Sequence, residues 1–251
     1  MIKLESRIHP SAIISNSARL GENVTIGPYC VIGDEVEIGD DSIIGPHVVI
    51  DKWTTLGKGC RVFQFASVGA EPQDLKFKGE QSCTVIGDRT TIREGATIHR
   101  ATGEGNETRV GSDCLLMAYV HIAHNCTLGN RVIMSNLASC SGHAIVEDRV
   151  VIGGMSKLVQ DVVPYTLVDG HPAKVVGLNN VGISRAGIPL ESRRLIKKAY
   201  KILYRSGLSL PEAIAVIEQE VDSCEEVEHF LRFLRNAERG ICRERRDFDD
   251  K

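Results

Sequence analysis

The 251-residue sequence predicts a mainly β chain, a parallel β-helix of hexapeptide repeats followed by a small α-helical C-terminal domain. Three observations carry this. Large aliphatic residues recur every six positions across residues 8–158, and small residues recur two positions before them. Beyond about residue 190 the apolar spacing changes to a helical one.

The six-residue register runs from Ile8 through Ile14, Leu20 and Ile26 to Val68. It resumes at Ile86, Ile92 and Ile98, then runs from Val110 through Ile122 and Cys140 to Leu158. Of its 26 positions 23 are apolar, far above what 42% apolar residues would give by chance; only Asp74, Glu80 and Glu104 fail. Beside those 23 positions, the column two residues earlier holds only Ala, Val, Ser, Thr and Cys, as at Ala18, Val24 and Cys30. Two inward positions two residues apart are one face of a short strand. Eleven glycines directly follow an aliphatic position, Gly21, Gly27 and Gly33 among them, and read as easing the backbone into each corner.

Composition agrees with this reading. Aromatics make up 5% of the chain and glycine 24 residues, which suits small repeated backbone units. A net charge of −3 offers no basic field for nucleic acid. No apolar run reaches membrane-spanning length, and MIKLESRIHP lacks the apolar core of a secretion signal, so a cytoplasmic chain is expected. Of the eight cysteines, Cys30, Cys60, Cys114, Cys126 and Cys140 fall in the inward columns and read as packing residues. Cys83, Cys224 and Cys242 fall outside the pattern.

Two segments break the register, 70–82 (AEPQDLKFKGEQS) and 101–109 (ATGEGNETR), and read as loops ejected from a β-helical domain spanning 1–178. A helical domain is expected over 188–251. Leu195, Ala199, Ile202 and Leu203 share one helical face. Ser209, Pro211 and Glu212 form a capping-box start, and Val227, Phe230, Leu231 and Leu234 stripe a helix over about 225–239. Residues 185–205 carry a local net charge of +6, a candidate face for an acidic partner. The tail from Arg243 is expected to fray.

The candidate chemistry lies with histidine. His9, His47, His99, His121, His124 and His143 all avoid the inward columns, so they are expected to point outward. If a coil holds three hexads, a step of three hexads lands one coil up, at about 4.8 Å. That step leads from His124 to Gly142 and from Asn125 to His143. A histidine beside a glycine N–H suits a general base with an oxyanion donor, the pair needed for acyl transfer to a hydroxyl. The competing reading is a metal site built from His121, His124 and His143. No GxSxG elbow for a serine nucleophile is present.

The repeat resembles that of the hexapeptide acyltransferases, which implies a left-handed, three-sided coil with one hexad on each side. HIAHNC (121–126), SGH (141–143), GDRTTIREGATIHR (87–100), QDLKFKGE (73–80), IHPSAII (8–14), YCVIGDEVEIG (29–39) and YRSG (204–207) narrow the likeness. Together they resemble the acyl-carrier-protein:UDP-N-acetylglucosamine O-acyltransferases of lipid A synthesis. The resemblance implies transfer of an (R)-3-hydroxyacyl group to the 3-position of the sugar, with no cofactor, in a homotrimer with clefts between neighbouring β-helices. It implies His124 as base and Gly142 as oxyanion donor. It also implies Gln73, Asp74 and Lys76 at the donor and sugar site, and His99, His121 and His143 around the groove. Asn179 and Arg185, in GLNNVGISRAG (177–187), would hold the UDP part, and 193–205 would receive the acyl carrier protein. The chain departs from the family pattern at Asn125, where an Asp is frequent, and at Val181, where an acidic residue can occur. In IGGMSKLVQDVVPY (152–165) about one coil is missing. The alternatives are another hexapeptide acyltransferase, or a zinc-binding or non-catalytic β-helix.

Overall fold

The computed structural model describes residues 7–237 and 239–245. Short strands, most of two residues, occupy the hexads from Ile13–Ile14 to Lys157–Leu158. Among the described residues they stack in parallel into a first sheet of eight strands beginning at Ile13–Ile14, a second of seven beginning at Arg19–Leu20, and a third of seven beginning at Thr25–Ile26, which the later hairpin extends to nine. Ile14 pairs with Ile32, Ile32 with Ile50 and Ile50 with Val68, always three hexads on. Three hexads therefore complete each coil of a left-handed parallel β-helix. Val68 pairs with Ile98, five hexads on, and Ile98 with Ile122, four hexads on. The ejected segments thus insert two hexads and one hexad of chain without shifting the register, and the three-hexad step resumes from Ile122 to Cys140.

Both columns lie inside the prism. Ile26, Ile32, Ile50, Ile98 and Ile122 are buried, with Cys30, Cys60, Ala96 and Val120 filling the tighter column. Some hydroxyls in that column bond backbone carbonyls, as Ser42 Oγ does to Gly57 (3.1 Å) and Thr90 Oγ1 to Gly111 (2.8 Å), while the buried Thr54 and Thr84 hydroxyls have no hydrogen-bond partner. The five cysteines read as packing residues are buried free thiols, and so is Cys242.

The role expected for the repeat glycines is corrected. Among the eleven, only Gly69 has a positive φ. A Cβ on Gly39 would sit 2.6 Å from the Gly57 carbonyl carbon, and one on Gly27 2.9 Å from Pro46 N. These glycines permit close stacking of successive coils, not unusual dihedrals. The left-handed backbone falls two residues later, on Asn23, Tyr29, Glu35, Asn125 and His143 among others. A second correction concerns the loop set at 101–109: Glu107–Val110 is a strand of the second sheet, so that loop ends at Asn106. The register failures have a purpose. Glu80 accepts from the Gly103 N–H (2.9 Å) and Glu104 from the Gln81 N–H (3.0 Å), clasping the two loops together.

After Leu158 a hairpin, Thr166–Gly170 with Ala173–Leu178, closes the edge of the third sheet. Four helices follow among the described residues: α1 (Asn180–Arg185), α2 (Leu190–Arg205), α3 (Leu210–Glu220) and α4 (Glu225–Asn236). The capping box at α3 is present, with the Ser209 N–H donating to Glu212 (2.8 Å). The short α1 is not signalled by apolar spacing; Asn179 caps it by accepting from the Gly182 N–H. Ile196, Ala199, Leu203, Ala213, Ile217, Val227 and Phe230 pack against Val163 and Tyr165 of the β-helical part, so the helices share a core with it. Residues 243–245 do not fray: Val175 N–H donates to the Arg243 carbonyl and Arg245 N–H to the Val175 carbonyl. The rest of the expected frayed tail, 246–251, lies outside the described residues.

One polar chain links α4 to the β-helix. His229 Nε2 meets Glu147 at 2.8 Å, and its Nδ1 meets the Tyr165 hydroxyl at 3.1 Å. The Glu147 carboxylate raises the His229 pKa against the opposing effect of burial. A raised histidine pKa means the charged pair stabilises the fold fully below the unfolded value near ~6.5 and is lost as pH rises through the folded value. His229→Gln should therefore lower the melting temperature more at pH 6 than at pH 9, measured by thermal denaturation. An equal loss at both would show that the charge contributes nothing.

Candidate active site

The three-hexad step places Gly142 over His124. A Cβ on Gly142 would lie 2.9 Å from both Nε2 and Cε1 of the His124 ring, so only glycine leaves the imidazole edge in place. The backbone confirms the alignment, with His143 N–H donating to the His124 carbonyl (3.1 Å). Gly142 N–H has no hydrogen-bond partner among the described residues. Its direction is set by the preceding carbonyl, since Ser141 O accepts from the Cys126 thiol (3.1 Å) and from Ala144 N–H (3.2 Å). Turn amides at other corners are met by side chains of the next coil, as Asp148 meets Asn130 N–H (2.7 Å). The open amide at 142 is thus a preformed donor.

The His124 ring is held by its neighbour. Asn125 Oδ1 accepts from the backbone N–H and the hydroxyl of Thr102, both at 2.9 Å, while its Nδ2 donates to the Thr102 carbonyl at 3.1 Å. These bonds fix which end of the amide faces His124, and Oδ1 lies 2.8 Å from Nδ1. An acceptor there requires the proton on Nδ1, which leaves a lone pair on Nε2, the nitrogen beside Gly142. Asn125 therefore orients the His124 ring by a neutral acceptor. Its left-handed φ of 58° suits asparagine.

A recess of about 340 Å³ is lined by Gln73, His99, His121, His124, Gly142 and Lys157, together with Ala123, Ser139, Cys140 and Ser141. His99 lies outside the coil, as its register position implies, yet it is buried, edge-on to His121 at 4.9 Å. Burial, reinforced by His121 and His124, pushes its pKa down to about 4, so it is a neutral group. Burial also lowers His121, whose Nδ1 meets the Thr97 hydroxyl at 2.8 Å. His143 stands edge-on to His124 at 5.2 Å and is lowered by burial, then by His124 and Arg239, with Asp74 opposing. Asp74 accepts from the Lys76 N–H (2.9 Å), and Lys76 is exposed beyond the recess. Among the described residues, no three His, Cys, Asp or Glu, His121, His124 and His143 included, are grouped so as to hold a metal ion.

Asn179 and Arg185 are not brought to this recess. They line a second one of about 480 Å³, with Arg131, Arg149 and Asp113, on the third sheet rather than the first. Residues missed by sequence reasoning sit mostly on the loops. The buried Arg100 donates to Glu71 (2.9 Å) and to the Gly69 carbonyl (3.2 Å) and lies against the rings of Trp53 and Phe77. It pins the loop that carries Gln73, Asp74 and Lys76. No helix among the described residues is long and apolar enough to cross a membrane.

The chain is similar to known proteins along most of its length. Residues 161–242 match a family model described as UDP N-acetylglucosamine O-acyltransferase, domain 2. Residues 17–52 and 107–139 match the bacterial transferase hexapeptide model. The acyl-[acyl-carrier-protein]–UDP-N-acetylglucosamine O-acyltransferase of Thermodesulfovibrio yellowstonii is 44% identical over 257 aligned positions, covering 95% of this chain and 100% of the relative. Among solved structures, UDP-N-acetylglucosamine O-acyltransferase from Moraxella catarrhalis is 36% identical with a TM-score of 0.82, covering 95% of this chain and 100% of that one. The Campylobacter jejuni UDP-N-acetylglucosamine acyltransferase is 36% identical with a TM-score of 0.80, at the same coverages.

The Asn125 geometry can be tested by kinetics. Asn125→Leu removes the acceptor at Nδ1 and should lower kcat by about 100-fold, within the contribution of a positioned general base. Asn125→Asp keeps the acceptor and adds charge, so it should retain turnover and move the acid limb of the kcat/KM profile to higher pH. An unchanged rate in the Leu variant would contradict the assignment.

Proposed function

The chain belongs to the UDP-N-acetylglucosamine O-acyltransferase family, and from that premise we propose that it transfers an (R)-3-hydroxyacyl group from acyl carrier protein to the 3-position of UDP-N-acetylglucosamine. The supporting observation is the unpartnered Gly142 N–H one coil above the Nε2 lone pair of His124. His124 Nε2 takes the proton of the sugar 3-hydroxyl as its oxygen attacks the thioester carbonyl. Gly142 N–H receives the developing oxyanion. Collapse breaks the carbon–sulfur bond, and the departing thiolate recovers the proton from the imidazolium. No cofactor enters the sequence. Gln73, His99, His121 and His143 border the reacting groups. Asp74 and Lys76 stand on the pinned loop, at the entrance for donor and sugar. In this reading the β-helix through residue 178 carries the chemistry, and the helical part from 188 receives the carrier.

Two features support a homotrimer with shared clefts. The recess at His124 and the recess at Asn179 and Arg185 open from different sheets, the first and the third. The edge between those sheets carries the exposed ladder Tyr29, Phe65, Tyr119, Leu137 and Met155, with His47 stacked between Tyr29 and Phe65. Packing that edge against another copy would cover the ladder and turn one copy's nucleotide recess toward the next copy's histidines. On α2, Arg194 pairs with Glu191 and Arg205 with Glu244, while Lys197 and Lys201 are exposed without an ion pair among the described residues. Those two lysines are the open part of the face for an acidic carrier.

His124→Ala should abolish turnover and leave the melting temperature and assembly unchanged; wild-type turnover in that variant would rule out the base. Lys197→Glu with Lys201→Glu should raise KM for acyl carrier protein roughly tenfold and leave KM for the sugar nucleotide alone. An unchanged carrier KM would contradict docking on α2.

A further inference from the structure

Among the described residues, one cation reaches the Gly142 corner from outside the β-helix. Arg239 lies in the turn that follows α4, and its Nη1 donates to the Gly142 carbonyl at 2.6 Å, from far along the sequence. The Gly142–His143 peptide is thereby held at both ends: Arg239 takes its carbonyl, and the His124 carbonyl takes its N–H at 3.1 Å. The peptide before it is held by Cys126 and Ala144 at Ser141 O. Gly142 has no side chain to restrict its dihedrals, so these flanking bonds are what aim its free N–H.

We propose that Arg239 is a positioning residue for the reaction, holding the Gly142 corner so that its open amide stays over His124 as the oxyanion forms. This rests on the general-base reading given above. Its positive charge beside the corner adds a favourable field for the developing anion. Several groups register that field. It opposes the rise that burial imposes on Asp161, and it adds to the effects of burial and of His124 that lower His143. Among the described residues Arg239 has no carboxylate within ion-pair distance that would neutralise it.

The segment is fastened without this side chain. Asp161 N–H donates to the Gly240 carbonyl (3.2 Å), and Cys242 N–H to the Asp161 carbonyl (2.8 Å). Ile241 is buried in the core formed by the helices. Removing the guanidinium therefore leaves the backbone strap and its apolar anchor in place, and a structural role alone predicts no kinetic signature.

The test is steady-state kinetics of the full chain with an acyl carrier protein thioester and UDP-N-acetylglucosamine, with His124→Ala run in parallel. Arg239→Ala should lower kcat about 10- to 100-fold while both KM values stay within about twofold and the melting temperature holds, because the loss falls on the transition state. Arg239→Lys, which can still donate to the carbonyl, should recover most of that loss. In the Ala variant the His143 imidazole should titrate at higher pH by NMR, since a neighbouring cation is gone. A kcat within about twofold of wild type in Arg239→Ala, with His124→Ala inactive, would overturn the proposal while leaving the general base intact. Wild-type turnover in His124→Ala would overturn the base and the positioning role together. If Arg239→Ala fails to fold, Arg239→Met, which keeps an apolar stem without a donor, is judged by the same criteria.

Discussion

The stacking of one coil on the next at strand spacing governs everything else in this molecule. A parallel backbone ladder links each residue to the one three hexads on, or five and four hexads on where a loop is ejected. The ladder converts sequence spacing into spatial contact and so places His124 under Gly142. It also explains the glycines. Where coils approach closely, a Cβ would meet backbone within about 3 Å, so glycine is retained for clearance. The left-handed corners, by contrast, are occupied by whatever residue the edge needs: aromatic rings along one edge, Asn125 and His143 along another.

The loops add what the repeat cannot supply. A repeating coil offers equivalent positions on every turn, and a catalytic site needs one turn to differ. The second loop provides Thr102, whose backbone N–H and C=O orient Asn125 and through it the His124 ring. Glu80 and Glu104 tie that loop to the first, and the buried Arg100 ties the first to the coil. The imidazole tautomer thus depends on a chain of contacts reaching from Arg100 through both loops. Two of the three charges that break the hexad register, Glu80 and Glu104, are members of this clasp, so the site is built at the places where the repeat fails.

This division sets what is legible in the sequence. The inward columns follow from periodicity and the capping box at Ser209 from its local motif, while the His124–Gly142 stack follows from the period only once three hexads complete a coil, which the family resemblance implies. The burial of His99 is not legible, because its surroundings combine His121 of the next coil with a recess that Gln73 of the aperiodic first loop also lines. Thr102, Arg100 and Arg239 are not legible for the same reason: their partners lie far off in the sequence and away from the three-hexad ladder. Asn179 and Arg185 are legible as a motif but not as a place, since their recess opens from another sheet than the histidines. The glycine role is easily misread because dihedral freedom and backbone clearance leave the same mark in a sequence, and only the position of the neighbouring coil separates them.

The central claim is that His124 presents a bare Nε2 toward Gly142 because Asn125, held by Thr102, accepts the proton side of the ring. Nitrogen-15 NMR of the histidine side chains, at a pH where His124 is neutral, measures this directly. The account predicts a protonated Nδ1 and an unprotonated Nε2 for His124, with the Nδ1 proton lost to the alternative tautomer when Asn125 is replaced by Leu. A neutral His124 carrying its proton on Nε2 in the unaltered protein would contradict the account, because that nitrogen could not then accept the proton of a hydroxyl.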